Sequence, residues 1–523
     1  MRDYPPERRT IGHILADKAA RIGHRPFLHF AGHTYSYADA HRRTNRYAHG
    51  FLRAGIRAGD HVALMLPNQP ELLWAIWGLG KIGAVAVPLN TAARGELLRY
   101  LLDQSDSVLL CVSDELRERA VAAAATAPGV REVIGPDRLR EFEYCPDEDP
   151  PGMAEIAASD PHLLMYTSGT TGPSKGAVCP HFQGHAVGRQ MTSLTGYRPD
   201  DVLYTCLPVF HANALWYTIY TALWAEASVA LSPGFSARRF WDEVRESGAT
   251  VFNCLGAMAN IIWQLPPSPG DRDHRVRTAM LVPLSGAMVD GFAERYGIAV
   301  TSVYAMTENC AVTVFGPDDP REKVPSAGRV RDYMDVRILD DQDRELARGE
   351  VGEICIRPNE PDTVMLGYYK MPEATEAAHR NGWFHTGDRG HLDTDGYLYF
   401  SDRKKEAIRR RGENISAYEV EVVLCQHPAV LEAAAVPVPS ELGEDDVMAY
   451  LVPRPGAEIS YPEVIEFCAE NMAYYMVPRY LQTLERLPKT PSEKIEKYKL
   501  KTDAAARLRE FWDREKAGIT IRR

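Results

Sequence analysis

Residues 60–88 read D-H-V-A-L-M-L-P-N-Q-P-E-L-L-W-A-I-W-G-L-G-K-I-G-A-V-A-V-P, and this stretch decides the fold class. Residues 60–66 and 84–88 are short apolar runs typical of buried strands, and residues 70–80 between them have a helical pattern. The alternation continues with a predicted helix over 94–103 and a predicted strand over 108–112. Strands that alternate with helices of this length predict βαβ units and a largely parallel sheet.

The composition is typical of a globular protein and narrows the function classes. A chain of 523 residues exceeds what one core usually supports, so we expect two or more domains. The net charge of −11 argues against a nucleic-acid-binding protein, which would normally carry a basic face. The apolar stretches are interrupted by glycines and a lysine and the N-terminus lacks an apolar segment, so we expect no membrane span and a cytoplasmic location. Nine scattered cysteines without a C-x-x-C pair favour reduced thiols and no zinc site.

A glycine-rich loop follows a further apolar run, residues 163–166. Residues 166–178 read Y-T-S-G-T-T-G-P-S-K-G-A-V, which combines small hydroxyls, three glycines and Lys175. Glycine allows close approach of backbone N–H groups, and hydroxyl and ammonium donors suit a polyanion. The spacing does not match a P-loop, because Lys175 stands three residues after Gly172 and is followed by glycine. A plain surface loop is the alternative, because the same residues are common in loops.

A change of pattern near residue 400 predicts a second domain. Residues 396–400 have strand character, and beyond them we predict helices over 417–426 and 461–472 and strands over 432–438 and 447–453. We place the boundary at 401–405. This gives a body of residues 1–401, a hinge of 402–405 and a lid domain of 406–523. A cleft between two such domains is a common place for a ligand site.

Five motifs in order carry a family resemblance over nearly the whole chain. They are Y-T-S-G-T-T-G-P-S-K-G (166–176), Y-A-M-T-E (304–308), W-F-H-T-G-D (383–388), D-R-K-K-E with R-G-E-N-I (402–415) and L-P-K-T-P-S-E-K (487–494). Together they resemble the adenylate-forming (AMP-binding) superfamily, and most of all acyl-CoA ligases of the carnitine/crotonobetaine and the fatty or aryl acid kind. The resemblance implies an α/β fold with a large N-terminal body of stacked βαβ-type sheets and a small mobile α+β C-terminal lid.

The resemblance also implies a two-step reaction with ATP, Mg²⁺ and CoA. A carboxylate attacks the α-phosphorus of ATP to give acyl-AMP and pyrophosphate, and a thiol then displaces AMP. The first step brings an anion to a polyanion, so the site must neutralise charge and align the partners. By resemblance, the phosphates are held by Thr167, Ser168, Gly169, Thr170, Thr171 and Lys175.

The other nucleotide contacts are assigned in the same way. Tyr304 is expected against adenine, Thr307 at the α-phosphate, and Glu308 on Mg²⁺, for which one carboxylate plus waters is enough. Taken alone, Y-A-M-T-E could equally cap a helix. The adenine pocket, the ribose and the phosphate side are expected to involve Ser285, Gly286, Ala287, Asp388 and Arg403.

The lid supplies the remaining expected residues. Lys405 falls at the hinge position and Gly412 at the position beside which the family threads pantetheine. Lys494 is the expected adenylation lysine, although Glu493 stands where the family usually has glycine. Lys489 and Lys497 are nearby alternatives. We interpret residues 409–411, R-R-R, as part of a solvated basic linker.

The acid-binding part of the site is expected near P-V-F-H-A-N and the aromatic stretch that follows it. His211 matches the gate beside the acyl carbonyl, and Trp216 and Tyr217 are expected to line a pocket for a bulky apolar acid. Each of the three could instead be a core residue. Besides the acid, the expected partners are a second copy in a homodimer, a partner acyltransferase or a carrier protein. A luciferase-like oxygenase, a carrier-loading enzyme and a non-catalytic nucleotide sensor are the rival functions.

Overall fold

The computed structural model of the chain describes residues 3–167, 173–263, 265–284, 286–403, 407–441, 443–488 and 495–521. Within these ranges the strands, β1 to β27 in chain order, are Pro26–Phe30, His33–Ser36, His61–Met65, Val85–Pro88, Ser107–Val112, Glu132–Ile134, Pro161–Thr167, Lys175–Pro180, Val202–Thr205, Ser228–Leu231, Val251–Leu255, Thr278–Val282, Ala299–Met306, Asn309–Phe315, Arg329–Val330, Met334–Leu339, Gly352–Pro358, Gly367–Tyr368, His379–Arg380, Trp383–Leu392, Leu398–Arg403, Ala407–Arg410, Glu413–Ser416, Val430–Pro439, Asp445–Pro453, Tyr480–Thr483 and Trp512–Asp513.

The α-helices, α1 to α16 in the same order, are Ile11–Ile22, Tyr37–Arg53, Pro70–Gly80, Gly95–Gln104, Arg117–Ala124, Pro136–Phe142, His181–Thr195, Ala212–Ala214, Thr221–Ala225, Phe240–Glu246, Gly256–Trp263, Gly286–Gly291, Pro372–Ala378, Ala417–Gln426, Tyr461–Asn471 and Lys497–Arg507. A π-helical segment, Leu215–Tyr220, joins α8 to α9, and a second one, Phe292–Tyr296, continues α12. None of these helices is both long enough and apolar enough to cross a membrane.

Three sheets form the N-terminal body. A seven-stranded sheet has the order β18-β8-β7-β4-β3-β5-β6, and a nine-stranded sheet has the order β15-β14-β13-β12-β11-β9-β10-β1-β2. Strand pairs in the middle of both sheets are parallel. Antiparallel pairs close both edges of the nine-stranded sheet and the β18-β8-β7 edge of the seven-stranded sheet, whereas β5 and β6 at its other edge pair in parallel. A smaller antiparallel sheet contains β16, β17, β20, β19 and β21. The α/β body predicted from the alternating pattern is confirmed.

The opening stretch folds as the predicted βαβ unit. Strands β3 and β4 pair in parallel, with His61 opposite Val85 and Leu64 opposite Pro88. Helix α3 between them is buried over nearly its whole length, and both of its tryptophans lie in the core. The ring of Trp77 lies 5.6 Å from that of Phe27 in the nine-stranded sheet. This helix therefore packs between the two large sheets.

The C-terminal lid is a smaller α+β unit with its own core. It contains the hairpin β22–β23 and a four-stranded sheet in the order β24-β25-β26-β27, covered by α14, α15 and α16. Apolar residues of α14, α15, β24 and β25 form the main buried cluster of the lid. Lys405, the predicted hinge residue, lies outside the described residues, so the boundary at 401–405 stays a prediction.

Candidate active site

A cavity of about 1230 Å³ is lined by residues of the body and of the lid. The carboxyl-end regions of β7, β11 and β13 reach it from the body, and the turn of hairpin β22–β23 reaches it from the lid. This arrangement is the interdomain site that the domain pattern predicts. The predicted site residues on its wall are Thr167, Lys175, His211, Tyr217, Thr307, Glu308, Asp388 and Gly412.

The two ends of the glycine-rich loop meet at the cavity. Thr167 ends β7, Lys175 begins β8, and the two residues are register partners in an antiparallel pair. The loop between them is thus the connection of a β-hairpin whose ends face the cavity. The predicted phosphate ligands Ser168, Gly169, Thr170 and Thr171 lie outside the described residues.

Glu308 lies at the centre of a hydrogen-bonded group on the body side. Thr307 and Glu308 connect β13 to β14, so Y-A-M-T-E ends a strand and does not cap a helix. The Oε1 atom of Glu308 accepts hydrogen bonds from the hydroxyls of Thr167, at 3.2 Å, and Tyr368, at 2.9 Å. Burial and the charge of Glu308 raise the pKa of Tyr368 well above its usual range, which keeps the phenol as a donor.

Tyr368 also contacts Lys175, the lysine predicted to bind phosphate, and the sequence alone does not reveal this contact. The Nζ atom of Lys175 lies 4.7 Å from the centroid of the Tyr368 ring. Tyr368 reaches this place because β18 pairs with β8 across a long sequence separation. The donor set fits a hard cation, because the Glu308 carboxylate lines the cavity next to the ends of the predicted phosphate-binding segment.

Asp388 is buried and is held within the body by hydrogen bonds. Its Oδ2 atom accepts a hydrogen bond from the Tyr304 hydroxyl at 2.8 Å, and its N–H donates to the Thr386 hydroxyl at 3.0 Å. Asp388 is 5% exposed and lines the cavity, whereas Tyr304 reaches the site through this hydrogen bond. Two residues predicted to contact opposite ends of a nucleoside therefore contact each other.

A buried cluster behind Asp388 was not anticipated from the cysteine spacing. The ligand atoms of Glu353, Cys355 and His385 lie within 4.8 Å of one another, and Cys355 and His385 are partners in the antiparallel pairing of β17 with β20. Glu353 also accepts a hydrogen bond from the Gly387 N–H at 3.2 Å and contacts the Arg380 guanidinium at 3.3 Å. A guanidinium beside the cluster disfavours a second cation there, so we interpret the cluster as support for the loop that carries Asp388.

The remaining nucleotide residues are only partly described. Gly286 begins α12, and its carbonyl accepts a hydrogen bond from Arg321 at 3.1 Å. Ala287 lies on the same helix, and the backbone of Arg403 pairs with Asp388 across β20 and β21. Ser285 lies outside the described residues.

Gln183 is a further contact that sequence reasoning missed. It lies in α7, is fully buried, and donates from Nε2 to the carbonyl oxygen of Thr307 at 2.9 Å. The bond fixes the turn that carries Thr307 and Glu308. A glutamine in an ordinary helix gives no sequence signal for this role.

His211 joins the body to the lid. Its Nε2 atom lies 2.7 Å from Oε2 of Glu413, which begins β23. Burial lowers the pKa of His211, but the charge and hydrogen bond of Glu413 raise it more, so the net pKa lies above the usual value. The pair therefore favours the protonated imidazole in this lid orientation.

The turn of hairpin β22–β23 brings the backbone of the lid close to the body. Gly412 has φ +82°, and a Cβ atom added there would lie 2.5 Å from Cδ1 of Leu255. Its N–H donates to Glu444 of the lid at 2.9 Å. Only glycine combines this conformation with this approach. Gly412 thus lines the cavity, as its predicted place beside a threaded thiol arm requires.

Further polar contacts fix the same lid orientation. Ser174, which precedes β8, donates from its N–H to Oε1 of Glu419 at 2.8 Å, and its hydroxyl contacts the same oxygen. Asn90 donates from Nδ2 to the Tyr475 hydroxyl at 2.8 Å. Glu419 lies in the first turn of α14, so the lid directly contacts the end of the glycine-rich loop.

The interpretation of Arg409–Arg411 as solvated is wrong for Arg410. Its side chain is 2% exposed and forms an ion pair with Asp446, with Nε 2.7 Å from Oδ1. It also donates to the carbonyl oxygens of Tyr475, at 3.1 Å, and Val477, at 2.8 Å. The sequence does not distinguish this buried arginine from its charged neighbours, because its partners are distant along the chain.

The lysines near the lid's C-terminus are distinguished in part. Lys494 and its neighbour Lys489 lie outside the described residues. Lys497 begins α16 and binds Glu421 of α14, with Nζ 2.5 Å from Oε1. It is not among the residues that line the cavity. Of the two alternatives to Lys494, Lys497 therefore has a contact within the lid.

The aromatic stretch contributes one of its two predicted residues to the cavity wall. Tyr217 lines the cavity, and its buried hydroxyl has no hydrogen-bond partner among the described residues. Trp216 does not line the cavity, because its ring is fully buried next to Gly184 of α7. Successive residues of a helix point in different directions, and here Tyr217 faces the cavity while Trp216 packs against α7.

Comparison with known proteins agrees with these features. The family model "AMP-binding enzyme" matches residues 15–369, and the model of the AMP-binding enzyme C-terminal domain matches residues 419–494. The crotonobetaine/carnitine–CoA ligase of Salmonella typhi is 34% identical over 480 residues, covering 89% of this chain and 93% of that protein.

Two solved structures of one relative, the o-succinylbenzoate CoA synthetase of Bacillus subtilis, resemble the chain to different degrees. A double mutant bound to a CoA product analogue has a TM-score of 0.82 at 27% identity, covering 94% of this chain and 98% of its own. The complex with the acyl-adenylate intermediate has a TM-score of 0.67 at 28% identity, covering 93% and 97%. The matched models span both domains, and the five motifs predicted the same family. The chain therefore belongs to the AMP-binding enzymes, as an adenylate-forming acyl-CoA ligase.

Proposed function

We propose that this enzyme activates a bulky, largely apolar carboxylic acid as acyl-AMP and transfers the acyl group to the thiol of CoA. The observation that carries the proposal is the joint cavity. Thr167, Lys175, Glu308 and Asp388 line it from the body, and Gly412 lines it from the lid. The first group suits a nucleotide and the second a thiol arm, so one cavity serves both steps.

In the first step, a carboxylate oxygen of the acid bonds to the α-phosphorus, and the bond from that phosphorus to pyrophosphate breaks. Lys175 and the hydroxyl of Thr167 bind the departing phosphates, and Asp388 accepts hydrogen bonds from the ribose hydroxyls. Glu308 is the residue that would hold Mg²⁺. When bound, this ion neutralises phosphate charge.

In the second step, the thiol sulfur bonds to the acyl carbon, the bond from that carbon to the AMP oxygen breaks, and the thiol proton passes to solvent. The lid orientation supports this step, because Gly412 lies at the cavity and the likeness to the CoA-analogue complex exceeds that to the adenylate complex. His211, paired with Glu413, closes the cavity at the expected position of the acyl carbonyl.

The acid class follows from the cavity wall. Leu207, Leu255, Met258, Met280 and Met306 contribute apolar surface, and methionine adapts to irregular shapes. Tyr217 adds one hydroxyl to this apolar wall, and burial raises its pKa well above the usual range, so it stays protonated. The proposed acid has a bulky apolar body with a hydrogen-bond acceptor that meets Tyr217.

The test is acid-dependent ATP–pyrophosphate exchange over fatty, aryl and terpenoid acids, followed by mass spectrometry of the CoA thioester. Lys494→Ala should lower exchange by roughly 10²- to 10³-fold, because it removes a preorganised donor. Lys497→Ala is the matched control and should stay within a few-fold of wild type, because its contact is with Glu421 in the lid.

The outcomes separate the rival functions. Exchange without a CoA thioester would favour a carrier protein or partner acyltransferase as the acceptor. ATP binding without exchange for any acid would contradict the proposal and favour a nucleotide sensor. Equal exchange by wild type and Lys494→Ala would contradict only the role of that lysine and would leave the proposed function standing.

A further inference from the structure

The connection between β17 and β18, residues 359–366, holds the turn that carries Glu308. The N–H of Met365 donates a hydrogen bond to the carbonyl oxygen of Glu308 at 2.9 Å. Tyr368, which follows in β18, donates its hydroxyl to Oε1 of the same glutamate at 2.9 Å. The connection and the strand after it therefore fix both the backbone and the side chain of Glu308.

Glu360, near the start of this connection, is held by two arginines. Its Oε1 atom accepts a hydrogen bond from Nη1 of Arg9 at 2.7 Å, and Arg189 contacts both carboxylate oxygens, with Nη1 3.2 Å from Oε1. Burial raises the pKa of Glu360, but the two guanidiniums lower it more, so its net pKa lies below the usual value. The carbonyl oxygen of Glu360 accepts a hydrogen bond from the Thr363 hydroxyl at 2.8 Å, which joins this anchor to the rest of the connection.

The two arginines also share one aromatic ring of α7. The guanidinium carbon of Arg9 lies 4.4 Å from the centroid of the Phe182 ring, and that of Arg189 lies 5.3 Å from it. Phe182 is fully buried, and the next residue, Gln183, donates to the carbonyl oxygen of Thr307. Two guanidiniums at one ring repel each other, and the carboxylate that they share offsets this repulsion.

We call Glu360, Arg9, Arg189 and Phe182 the Glu360 cluster. None of these four residues lines the cavity. The cluster nevertheless joins two elements that each hold the turn of Thr307 and Glu308, because α7 reaches the turn through Gln183 and the β17–β18 connection reaches it through Met365. Removal of the shared carboxylate would leave two like charges together and would release the connection from α7.

We propose that Glu360 is a positioning residue that sets the orientation of the Glu308 carboxylate toward Mg²⁺ through the β17–β18 connection. This inference rests on the proposed function, in which Glu308 holds that ion. Groups behind a metal ligand orient it, and residues of such a network change affinity without touching the bound molecule. Because the Glu360 cluster does not line the cavity, its effect belongs to the metal-dependent part of nucleotide binding.

The experiment measures how much Mg²⁺ strengthens the binding of an ATP analogue that cannot transfer its nucleotide. Calorimetry gives the dissociation constant of α,β-methylene-ATP with saturating Mg²⁺ and again with a chelator, in both cases without acid or CoA. The ratio of the two constants is the metal gain. In Glu360→Gln the metal gain should fall roughly 3- to 30-fold, while metal-free binding should stay within about twofold of wild type. A purely structural role would weaken both constants alike.

Glu226→Gln is the matched control. Glu226 also contacts two cations, Lys18 at 3.3 Å and Arg21, and its side chain is 14% exposed, against 23% for Glu360. Both of its partners belong to α1, so its metal gain should equal that of wild type. Arg9→Gln removes one of the two arginines of the Glu360 cluster and should lower the metal gain by a smaller factor. It decides the question if Glu360→Gln does not fold.

Two results would overturn the inference: an unchanged metal gain in the cluster variant that folds, or an equal loss in Glu226→Gln. Glu308→Gln tests the proposed metal ligand separately. A loss of metal gain in Glu308→Gln with none in Glu360→Gln would refute the inference and leave the proposed function standing. An unchanged metal gain in Glu308→Gln would contradict the role of Glu308 in the proposed function, and the inference would fail with it.

Discussion

The body and the lid hold their cavity residues in different ways. In the body, Glu308 and Asp388 receive hydrogen bonds from Thr167, Tyr368 and Tyr304, all within the same domain. In the lid, Glu413 and Glu419 direct their carboxylates across the boundary to His211 and Ser174. The hydrogen bonds of the body do not involve the lid, whereas the contacts of Glu413 and Glu419 depend on where the lid lies. In the proposed mechanism, this difference combines a preorganised nucleotide site with contacts that can change between steps.

The largest expected effect concerns the stability of the body in acid. His162, His181 and His185 are fully buried; burial lowers the pKa of His162 to about 3 and lowers the other two well below their usual value. Such groups contribute stability above the unfolded pKa of roughly 6.5 that is lost as pH falls toward the folded pKa. Between pH 7.5 and 5.5 we expect a loss of about 4 kcal/mol for the three together.

Denaturation at the two pH values measures this loss. His185→Leu should reduce the pH dependence by about a third, because one of three imidazoles is removed and neither of its nitrogens has a hydrogen-bond partner among the described residues. Equal acid sensitivity of wild type and this variant would contradict the assignment.

The second effect tests preorganisation in the body. Asp388→Asn should weaken ATP binding by about 1.5–3 kcal/mol, or roughly 10- to 150-fold, because it replaces the charged acceptor that we propose for the ribose hydroxyls. The KM for ATP in the exchange assay gives the measurement. Tyr304→Phe is the control, since it removes only the hydroxyl that Asp388 accepts, and its effect should be smaller. A larger effect of Tyr304→Phe would mean that Tyr304 acts on the nucleotide directly.

The third effect tests the contact of Gly412 in the lid with Leu255 in the body. Gly412→Ala places a methyl group 2.5 Å from Leu255 at φ +82°, so we expect thioester formation from acyl-AMP to slow by about tenfold. ATP–pyrophosphate exchange should change less, because Gly412 is proposed to lie beside the thiol arm, which takes no part in that step. Adding Leu255→Ala should restore part of the rate by making room. If the single variant slows both half-reactions equally, the turn of the hairpin does not distinguish them.

The smallest effect concerns the His211–Glu413 pair. The pKa of His211 is raised in this orientation, so docking of the lid should be favoured below the undocked pKa and weaken as pH rises through the docked pKa. We expect a change of about three- to fivefold in the docked fraction, as for a partly exposed pair. Energy transfer between the two domains measures it. In Glu413→Gln the pH profile should be flat, and an unchanged profile would rule out the pair as its source.

The sequence predicts single elements well where local signals are strong. The bounds of α3 and α14 agree with the prediction, because Pro70 starts the first and the Ser416 side chain caps the second. Among the residues that the structure describes, eight of the predicted site residues line one cavity. The order of the motifs thus predicts the site, whereas composition and periodicity do not.

The missed residues share one property, which is that their partners are distant along the chain. Gln183, Glu353 and Tyr368 support Thr307, Gly387 and Glu308 through packing and strand pairing. Arg410 looks solvated within R-R-R because its ion pair with Asp446 forms only in the folded lid. Local patterns cannot reveal contacts that the tertiary fold creates.

The contacts of Arg410 have a consequence for exchanging lids between enzymes of this kind. The guanidinium donates hydrogen bonds from hairpin β22–β23 to the carbonyl oxygens of Tyr475 and Val477, so the hairpin is part of the lid. A chimera joined before Ala407 transfers Arg410 and Asp446 together. A chimera joined after Ser416 would combine a foreign hairpin with a resident Asp446, which would keep its ion pair with Arg479 but lose the one with Arg410. The safe junction for such recombination therefore lies upstream of the hairpin.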